Sequence, residues 1–569
     1  MRPRPEERRP PPVMWICFAA VLTAALVAES TSVLDLARAW TRRRSAPAEA
    51  FGSGNTARAL QRLDKIYPVP YEPAPRGSAA TEQGRSPERR VASYSIDRTA
   101  PAEFPSTTIL PTATYQDPSV AVFSLTLAAA DAADLLQHPN ERGIRWERPG
   151  YASFFDNGDL VFATGVGARV HGGKSRLESP TKSFRLYFRE TYGADRFPGD
   201  VAFGRDDLLL SEIVLHNDLR VDGEGKPWQL INPLAYAIAR KIGCLTPETR
   251  PVHFYLNGDF QGVYVLTERL GLDYLASRFG HEEFTAARTR RDPLSSWFEA
   301  GDLEAATPFL RPRWYQTQEL DRLGRIIELE NLTNWFVAII FSATTDWYQG
   351  LMARDERSRR KRWFWVNWDL DHSFMEHRPT VRPPWERDMF RAVLDVDRRV
   401  RSVLLTRLLA ESEDYRHAFL RRLVDVLNHE LTPEFLETEL ARQRETAQLY
   451  GIKDRDFLDS METFLQRRPA FVLQHASERL GLGEPRRITI NSSVQTSLRI
   501  DGYTVAAEYT GTYFDGMTVR ATIPRRHRPS FSHWLVDGVP HPDPGPDLAL
   551  TVTGDTRLTA VFDAERSGN

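Results

Sequence analysis

Cysteine is nearly absent from this chain: Cys17 and Cys244 are the only two in 569 residues. Cys17 sits in an N-terminal apolar run, so an intrachain disulfide framework is excluded and the redox compartment cannot be read from cysteine. Net charge is also scarce, at −2, so bulk electrostatics point to no nucleic-acid partner. His-Glu-x-x-His, Gly-x-Ser-x-Gly and Cys-x-x-Cys do not occur, which leaves zinc and serine-hydrolase readings without an anchor. No internal repeat is present. His171-Gly172-Gly173-Lys174-Ser175 falls short of a P-loop. The first glycine of that motif would have to stand at Ala168, and Pro180 and a strand follow where a helix is required.

What is present suffices for a large core: 41% of residues are hydrophobic and 11% aromatic. The length predicts two to four domains. Arg2, Arg4, Arg8 and Arg9 precede an apolar run from Val13 to Ala28, which reads as a signal-anchor or a cleavable signal peptide over 1–30 with the bulk exported. Residues 31–115 are rich in Pro, Ala, Arg and Ser without periodicity and read as a disordered linker. Order is expected from 116 to 483. From 484 to 569, short alternating strands punctuated by Gly502, Gly511, Gly516, Gly538 and Gly554 predict a small all-β module.

Within the central region, Phe184, Leu186 and Phe188 alternate, and Lys182 shares their parity. A lysine on an apolar face needs an anionic partner. Leu230, Leu234, Ile238 and Ile242 predict a helix stopped at Gly243. Val252–Leu256 and Gly262–Leu266 flank Asn257-Gly258, a type I′ hairpin signal whose arm offset suggests a bulge or a longer loop; Glu268 lies just past the second arm. Leu329, Leu332, Phe336 and Ile339 predict a helix ahead of Asp346. The aromatic run Trp363–Val366 is followed by Asp369 and Asp371, hard oxygen ligands of the kind Mg²⁺ or Mn²⁺ prefers. An early lysine, an acid after a helix and acids after a strand follow the order that handles a metal–nucleotide in kinase-like folds. The bland alternative for Asp369 and Asp371 is a turn in which aspartate caps its own backbone. Mostly basic Arg354–Arg362 reads as a solvated hairpin loop.

Four pieces in order, Arg169–Arg176, Thr181–Phe188, Leu256–Glu268 and Trp368–Phe374, resemble the CotH kinase-like family, named for spore coat protein H. The resemblance implies an α+β fold: an atypical protein-kinase-like two-lobed domain, here followed by the small β module. That module, through Gly511–Gly516, Phe531–Trp534 and Thr559–Phe562, resembles the divergent B-repeat-like domains of bacterial surface proteins.

By that resemblance Lys182 is the nucleotide-phosphate lysine, Gly172, Gly173 and Ser175 form the phosphate-covering segment, and Glu268 lies near the nucleotide cleft. Asp346 is the catalytic-loop acid, and Asp369 and Asp371 are metal acids, with the primary one left open. The implied cofactors are ATP with Mg²⁺ or Mn²⁺. The implied substrate is an envelope or secreted protein, and the implied location is the bacterial cell envelope. Two positions depart from the family pattern: Leu351 stands near an expected asparagine, and Met375 where glycine is common. A catalytically degenerate surface scaffold is therefore the second expectation.

Overall fold

The computed structural model describes residues 119–173, 175–179, 181–217, 228–289, 324–347, 349–374, 383–394, 400–452 and 455–563, with one isolated strand pair, Tyr94–Ser95 and Thr108–Ile109. The apolar run Val13–Ala28, the linker expected over 31–115 apart from that pair, Lys174 and Met375 lie outside these residues. Among the described residues no helix is long and apolar enough to cross a membrane.

A closed seven-stranded barrel comes first. Its strands are β1 (Val122–Leu127), β2 (Arg148–Asp156), β3 (Asp159–His171), β4 (Ser183–Tyr187), β5 (Glu212–His216), β6 (Thr249–Leu256) and β7 (Asp259–Glu268). They run β6-β7-β5-β4-β3-β2-β1, and parallel pairing of β1 with β6 closes the ring. Alternation builds the interior. Val166 and Ala168 of β3, Phe184 and Leu186 of β4, Ile213 and Leu215 of β5, and Tyr264 and Leu266 of β7 form one buried cluster. Phe197 plugs it, with ring centroids 5.0–6.1 Å from those of Phe123, Phe154, Phe162 and Phe188. Each fully buried side chain of this kind contributes about 1.5–3 kcal/mol. The β6–β7 hairpin carries both features its sequence suggested. Asn257 and Gly258 have φ of 51° and 85°, as a type I′ turn requires, and the register shifts between Phe254 and Tyr255.

The second lobe is mainly helical. It contains α1 (Ile231–Lys241), α2 (Leu272–Phe279), α3 (Leu329–Ser342), α4 (Glu413–Asp425), α5 (Pro433–Tyr450) and α6 (Arg455–Leu480). From Leu332 to Ser342 every residue of α3 is buried, so it is the central helix of the lobe, apolar all round. A three-stranded sheet of β8 (Phe284–Thr289), β9 (Gly350–Asp355) and β10 (Trp363–Asn367) flanks it. The basic stretch Arg354–Arg362 spans the β9–β10 hairpin, and Glu356 lies 2.7 Å from Arg354 and 3.4 Å from Lys361.

The C-terminal module has a five-stranded and a four-stranded sheet. It shares one continuous core with the helical lobe: Ile488, Ile490, Tyr513 and Trp534 belong to the same buried cluster as Leu423, Val426 and Leu431. Its docking point is the π-helical turn Val426–Glu430 that continues α4. There the His429 ring stacks on Tyr503 and Tyr509 with centroids 4.2 and 5.3 Å away, and Asn428 exchanges two 3.0 Å hydrogen bonds with the Thr512 backbone.

Candidate functional site

The connection from β3 to β4 holds the first group of expected residues. Gly172 has φ +116°, and a Cβ there would lie 2.5 Å from Ser175 Oγ, so the turn demands glycine. Gly173 is exposed and meets nothing within 4 Å. The connection carries the helical turn Ser175–Glu178, which lets Ser179 meet Lys182. Strand β4 begins at Ser183, so Lys182 stands just before it rather than opening it. Its Nζ donates to the Ser179 carbonyl at 2.5 Å, and its own carbonyl accepts from Tyr264 Oη at 3.1 Å. Buried Asn217 at the end of β5 ties the segment down. Its Nδ2 donates to Thr181 O at 2.6 Å and Ser179 Oγ at 3.1 Å, and its Oδ1 accepts from Ser183 Oγ at 2.8 Å.

Glu268 ends β7 and is 1% exposed. Arg278 Nη2 donates to it at 2.6 Å and the Glu248 N–H at 3.0 Å; burial nonetheless pushes its carboxyl above the usual range. Register separates it from Lys182. Phe184 pairs with Leu215 and Leu215 with Leu266, so Lys182 is level with Tyr264, whereas Glu268 is level with Leu186. Four residues of strand are about 13 Å. The structure therefore pairs Glu268 with the helical lobe and does not bring it to the lysine.

The second group forms around the C-terminus of α3, where the last carbonyls lack intrahelical donors. All find partners. Arg468 of α6, 0% exposed, donates to Ile340 O at 2.5 Å and Phe341 O at 3.0 Å, and also to the carbonyls of Trp385 and Arg387 at 2.8 Å. The Phe374 N–H takes Ser342 O at 3.0 Å, and Arg387 takes Ala343 O at 2.8 Å. A cation at a helix C-terminus also meets the negative end of its dipole. Burial pushes the Arg468 guanidinium down to about 9. These bonds clamp the Asp346 turn to the Asp369–Phe374 loop.

Asp369 adopts φ +60°, and its N–H donates to Tyr236 Oη of α1 at 2.9 Å. Asp346 and Asp371 converge on His372. The imidazole Nε2 stands 3.8 Å from Asp346 Oδ2 and 3.9 Å from Asp371 Oδ1, while Nδ1 lies 2.9 Å from Thr345 Oγ1. Gln349 Nε2 reaches back to Asp346 Oδ2 at 3.3 Å. Leu351, by contrast, is committed to the apolar cluster of Leu270, Tyr274, Phe364 and Val366. The structure thus brings Asp346, Asp371 and Gln349 together. It holds Asp369 by its backbone against α1, and it braces Lys182 on the barrel, where Tyr264 Oη reaches it from β7, two strands away; the Val263 carbonyl of β7 accepts from Gln229 at the head of α1.

His372, Arg468, Asn217 and Tyr236 were not singled out from the sequence. His372 lies inside the acid motif itself; the other three carry no local signal. Cys244 is buried, and burial raises its thiol to about 12, so it offers no nucleophile.

Chemically, the site offers carboxylates and an amide oxygen, the donor set hard divalent cations take. Among the described residues no group of three or more His, Cys, Asp or Glu is arranged to hold a metal. A cation held by Asp369 and Asp371 would have to fill the rest of its shell with water and phosphate oxygens, as Mg²⁺ does. When bound, such an ion would neutralise phosphate charge.

No curated protein matches the chain. Among solved structures it is similar to a Helicobacter pylori proinflammatory kinase, CtkA, at 10% identity and a TM-score of 0.26, covering 52% of this chain and 94% of that one. It is also similar to a Shewanella oneidensis MR-1 toxin–antitoxin complex of HipA, HipB and operator DNA, at 11% identity and a TM-score of 0.27, covering 55% of this chain and 67% of that one. The family model described as CotH kinase protein matches residues 168–481, more than half of the chain and the whole stretch from the lysine turn to the last helix of the second lobe. This chain belongs to the CotH kinase protein family.

Proposed function

We propose that this kinase-like protein transfers the γ-phosphoryl of ATP, with Mg²⁺ or Mn²⁺, to serine or threonine hydroxyls of envelope proteins. Convergence of the helix-end acid Asp346 and the strand-end acid Asp371 on one imidazole carries the assignment. In the step itself the hydroxyl oxygen forms a bond to the γ-phosphorus, the bond from that phosphorus to the bridging oxygen breaks, and ADP leaves. Asp346 orients the hydroxyl and takes its proton. Lys182 and the amides of Gly172, Gly173 and Ser175 hold the phosphates, and Asp369 and Asp371 would hold the cation. The basic leader and apolar run before residue 30 support export and an envelope substrate. Transfer of label from γ-labelled ATP to serine-containing acceptors, abolished in Asp369→Ala plus Asp371→Ala, tests this; transfer unaffected by that change overturns it.

Burial of Leu351 at 4% exposure favours a second reading, a surface scaffold that has lost turnover. Under it, the protein binds metal–nucleotide without transferring phosphate. Gln349, already at the Asp346 carboxylate, supplies the amide that Leu351 cannot, and this favours the catalytic reading.

A further inference from the structure

Strand β8 is the outer strand of the three-stranded sheet and pairs only with β9 among the described residues. The ladder fixes which of its backbone groups stay open. The Glu356 N–H donates to Glu283 O at 2.9 Å, and antiparallel pairs alternate, so the backbone groups of Thr285, Ala287 and Thr289 face β9. Ala286 and Arg288 therefore turn both N–H and C=O outward. Phe284 turns its C=O outward as well, while its N–H is taken by Glu282 O at 2.9 Å. An open row of this kind is a template for one more strand.

The two ends of this edge differ. At one, Thr289 pairs with Gly350 and Gly350 with Asn367. Asp346 lies four residues before Gly350 and Asp369 two after Asn367, so this end opens on the candidate site. At the other, Phe284 pairs with Asp355, and the β9–β10 turn follows. There Arg357, Arg359, Arg360 and Lys361 are exposed. Arg357 and Lys361 stand 3.9 and 3.4 Å from Glu283 and Glu356, and His281 lies 3.4 Å from Asp355, whereas Arg359 and Arg360 form no ion pair among the described residues. Beside this turn Phe279 is 41% exposed, with its ring centroid 5.2 Å from that of Phe284 and 5.4 Å from that of Phe364. Acidic side chains with an apolar neighbour complement that end.

Strand geometry gives the spacing. The six residues Phe284–Thr289 span about 20 Å, and a strand added outside β8 stands two strand spacings, about 10 Å, from β9. A chain leaving that strand at the Thr289 level crosses to Asp346 in about three residues. We propose that an acceptor protein docks by adding an extended segment to the open edge of β8, acidic where it passes the β9–β10 turn, with the acceptor hydroxyl about nine residues from those acids. The proposal rests on the phosphotransferase reading and deepens it by naming the class of acceptor. Main-chain pairing supplies affinity, and the charged, aromatic end sets which segments dock and in which register.

The test uses the full chain with Mg²⁺ and ATP and fluorescent peptides rich in β-branched residues. Each carries one serine and an acidic cluster about nine residues to its N-terminal or C-terminal side. Anisotropy reads binding, and label from γ-labelled ATP reads transfer. One polarity of the acidic peptide is expected to bind and to be labelled, with a lysine-for-acid control about 10-fold weaker or more. The same peptide N-methylated at alternate residues, which cannot pair, is expected to lose about as much. Arg359→Glu plus Arg360→Glu is expected to raise Kd and KM for the acidic peptide about 10-fold with kcat unchanged. Ala286→Pro is expected to raise both about 5-fold and to melt as wild type does, because the N–H it removes faces away from β9. Neither change is expected to alter labelling of a serine acceptor too short to reach β8. Absence of peptide binding by wild type, equal binding of the acidic and lysine peptides, or N-methylation without effect overturns the proposal. Competition by polyglutamate as strong as by the peptide reduces the contact to charge and overturns strand pairing. Binding that follows the variants and N-methylation, with no transfer to any acceptor, upholds the docking edge and overturns the phosphotransferase reading.

Discussion

His372 stands 3.8 Å from Asp346, across the gap between the end of the central helix and the acid loop after β10. Its Nδ1 is held by Thr345, so Nε2 is the nitrogen presented to both Asp346 and Asp371. A side chain that orients two functional carboxylates acts through them, and losing such an orienting contact typically costs 10–100-fold in activity. His372→Ala is expected to lower kcat by roughly that factor with little change in KM for nucleotide. His372→Gln, which retains polar atoms at both ends, is expected to recover part of it. Equal loss in both variants, or a change in KM alone, contradicts the positioning role.

Arg468 presents a second dependence. It bonds four carbonyls, two of them at the end of α3, from within a fully buried position. Arg468→Met leaves those acceptors without donors, and the expected cost is about 3 kcal/mol or more of unfolding free energy. Urea denaturation measures it. A variant as stable as wild type would show that water replaces the guanidinium at no cost.

The chain should also be acid-labile through His253 on β6. Burial lowers this imidazole from its ordinary 6.5 to about 4, while the Tyr450 carbonyl 3.3 Å from Nε2 favours the charged form and offsets part of that. Between these values the unfolded chain binds the proton and the folded chain does not, so stability rises as pH increases from 4 to 6.5. The gain is full above 6.5 and amounts to at most about 3 kcal/mol. Melting temperature across this range should be less steep in His253→Phe than in wild type. Identical slopes contradict the assignment.

Much of this architecture is legible in the sequence, and what is hidden is hidden for physical reasons. Alternation in Phe184–Phe188 marks an inward face, Asn257-Gly258 specifies its turn, and the apolar run before Asp346 reads as a helix, which the structure makes the central one. Parity alone also places Lys182 and Glu268 on one kind of face. It cannot say how strands slide past each other, and register puts the two at different levels. Barrel closure depends on parallel pairing of β1 with β6, far apart in sequence, which no local pattern encodes. Arg468 reads as a surface residue of a charged helix, because its partners are carbonyls of segments roughly a hundred residues away. The β module reads as separate because its strands are short and regular, yet its core runs on into the helical lobe.

That continuity has a measurable consequence. A chain ending at residue 483 loses the partners of His429, Asn428 and Arg421, and uncovers the side of the core that Ile488, Ile490 and Trp534 bury. Its melting temperature is expected to fall by roughly 10 °C or more relative to the full chain. Arg422 links this interface to the site, since it binds Glu430, Asn334 of α3 and the Ile242 carbonyl after α1. An unchanged transition after truncation would mean that the module and the lobe fold independently.

The central claim is phosphoryl transfer from a metal–nucleotide through Asp346. Transfer of label from γ-labelled ATP by the full chain, with Mg²⁺ and with Mn²⁺, compared with Asp346→Asn, tests it most directly. The predicted result is labelled product from wild type and a rate lowered about 10²- to 10⁴-fold in the variant, which still binds nucleotide. Equal transfer by both proteins, or binding of metal–nucleotide by wild type with no transfer to itself or to an acceptor, contradicts the claim.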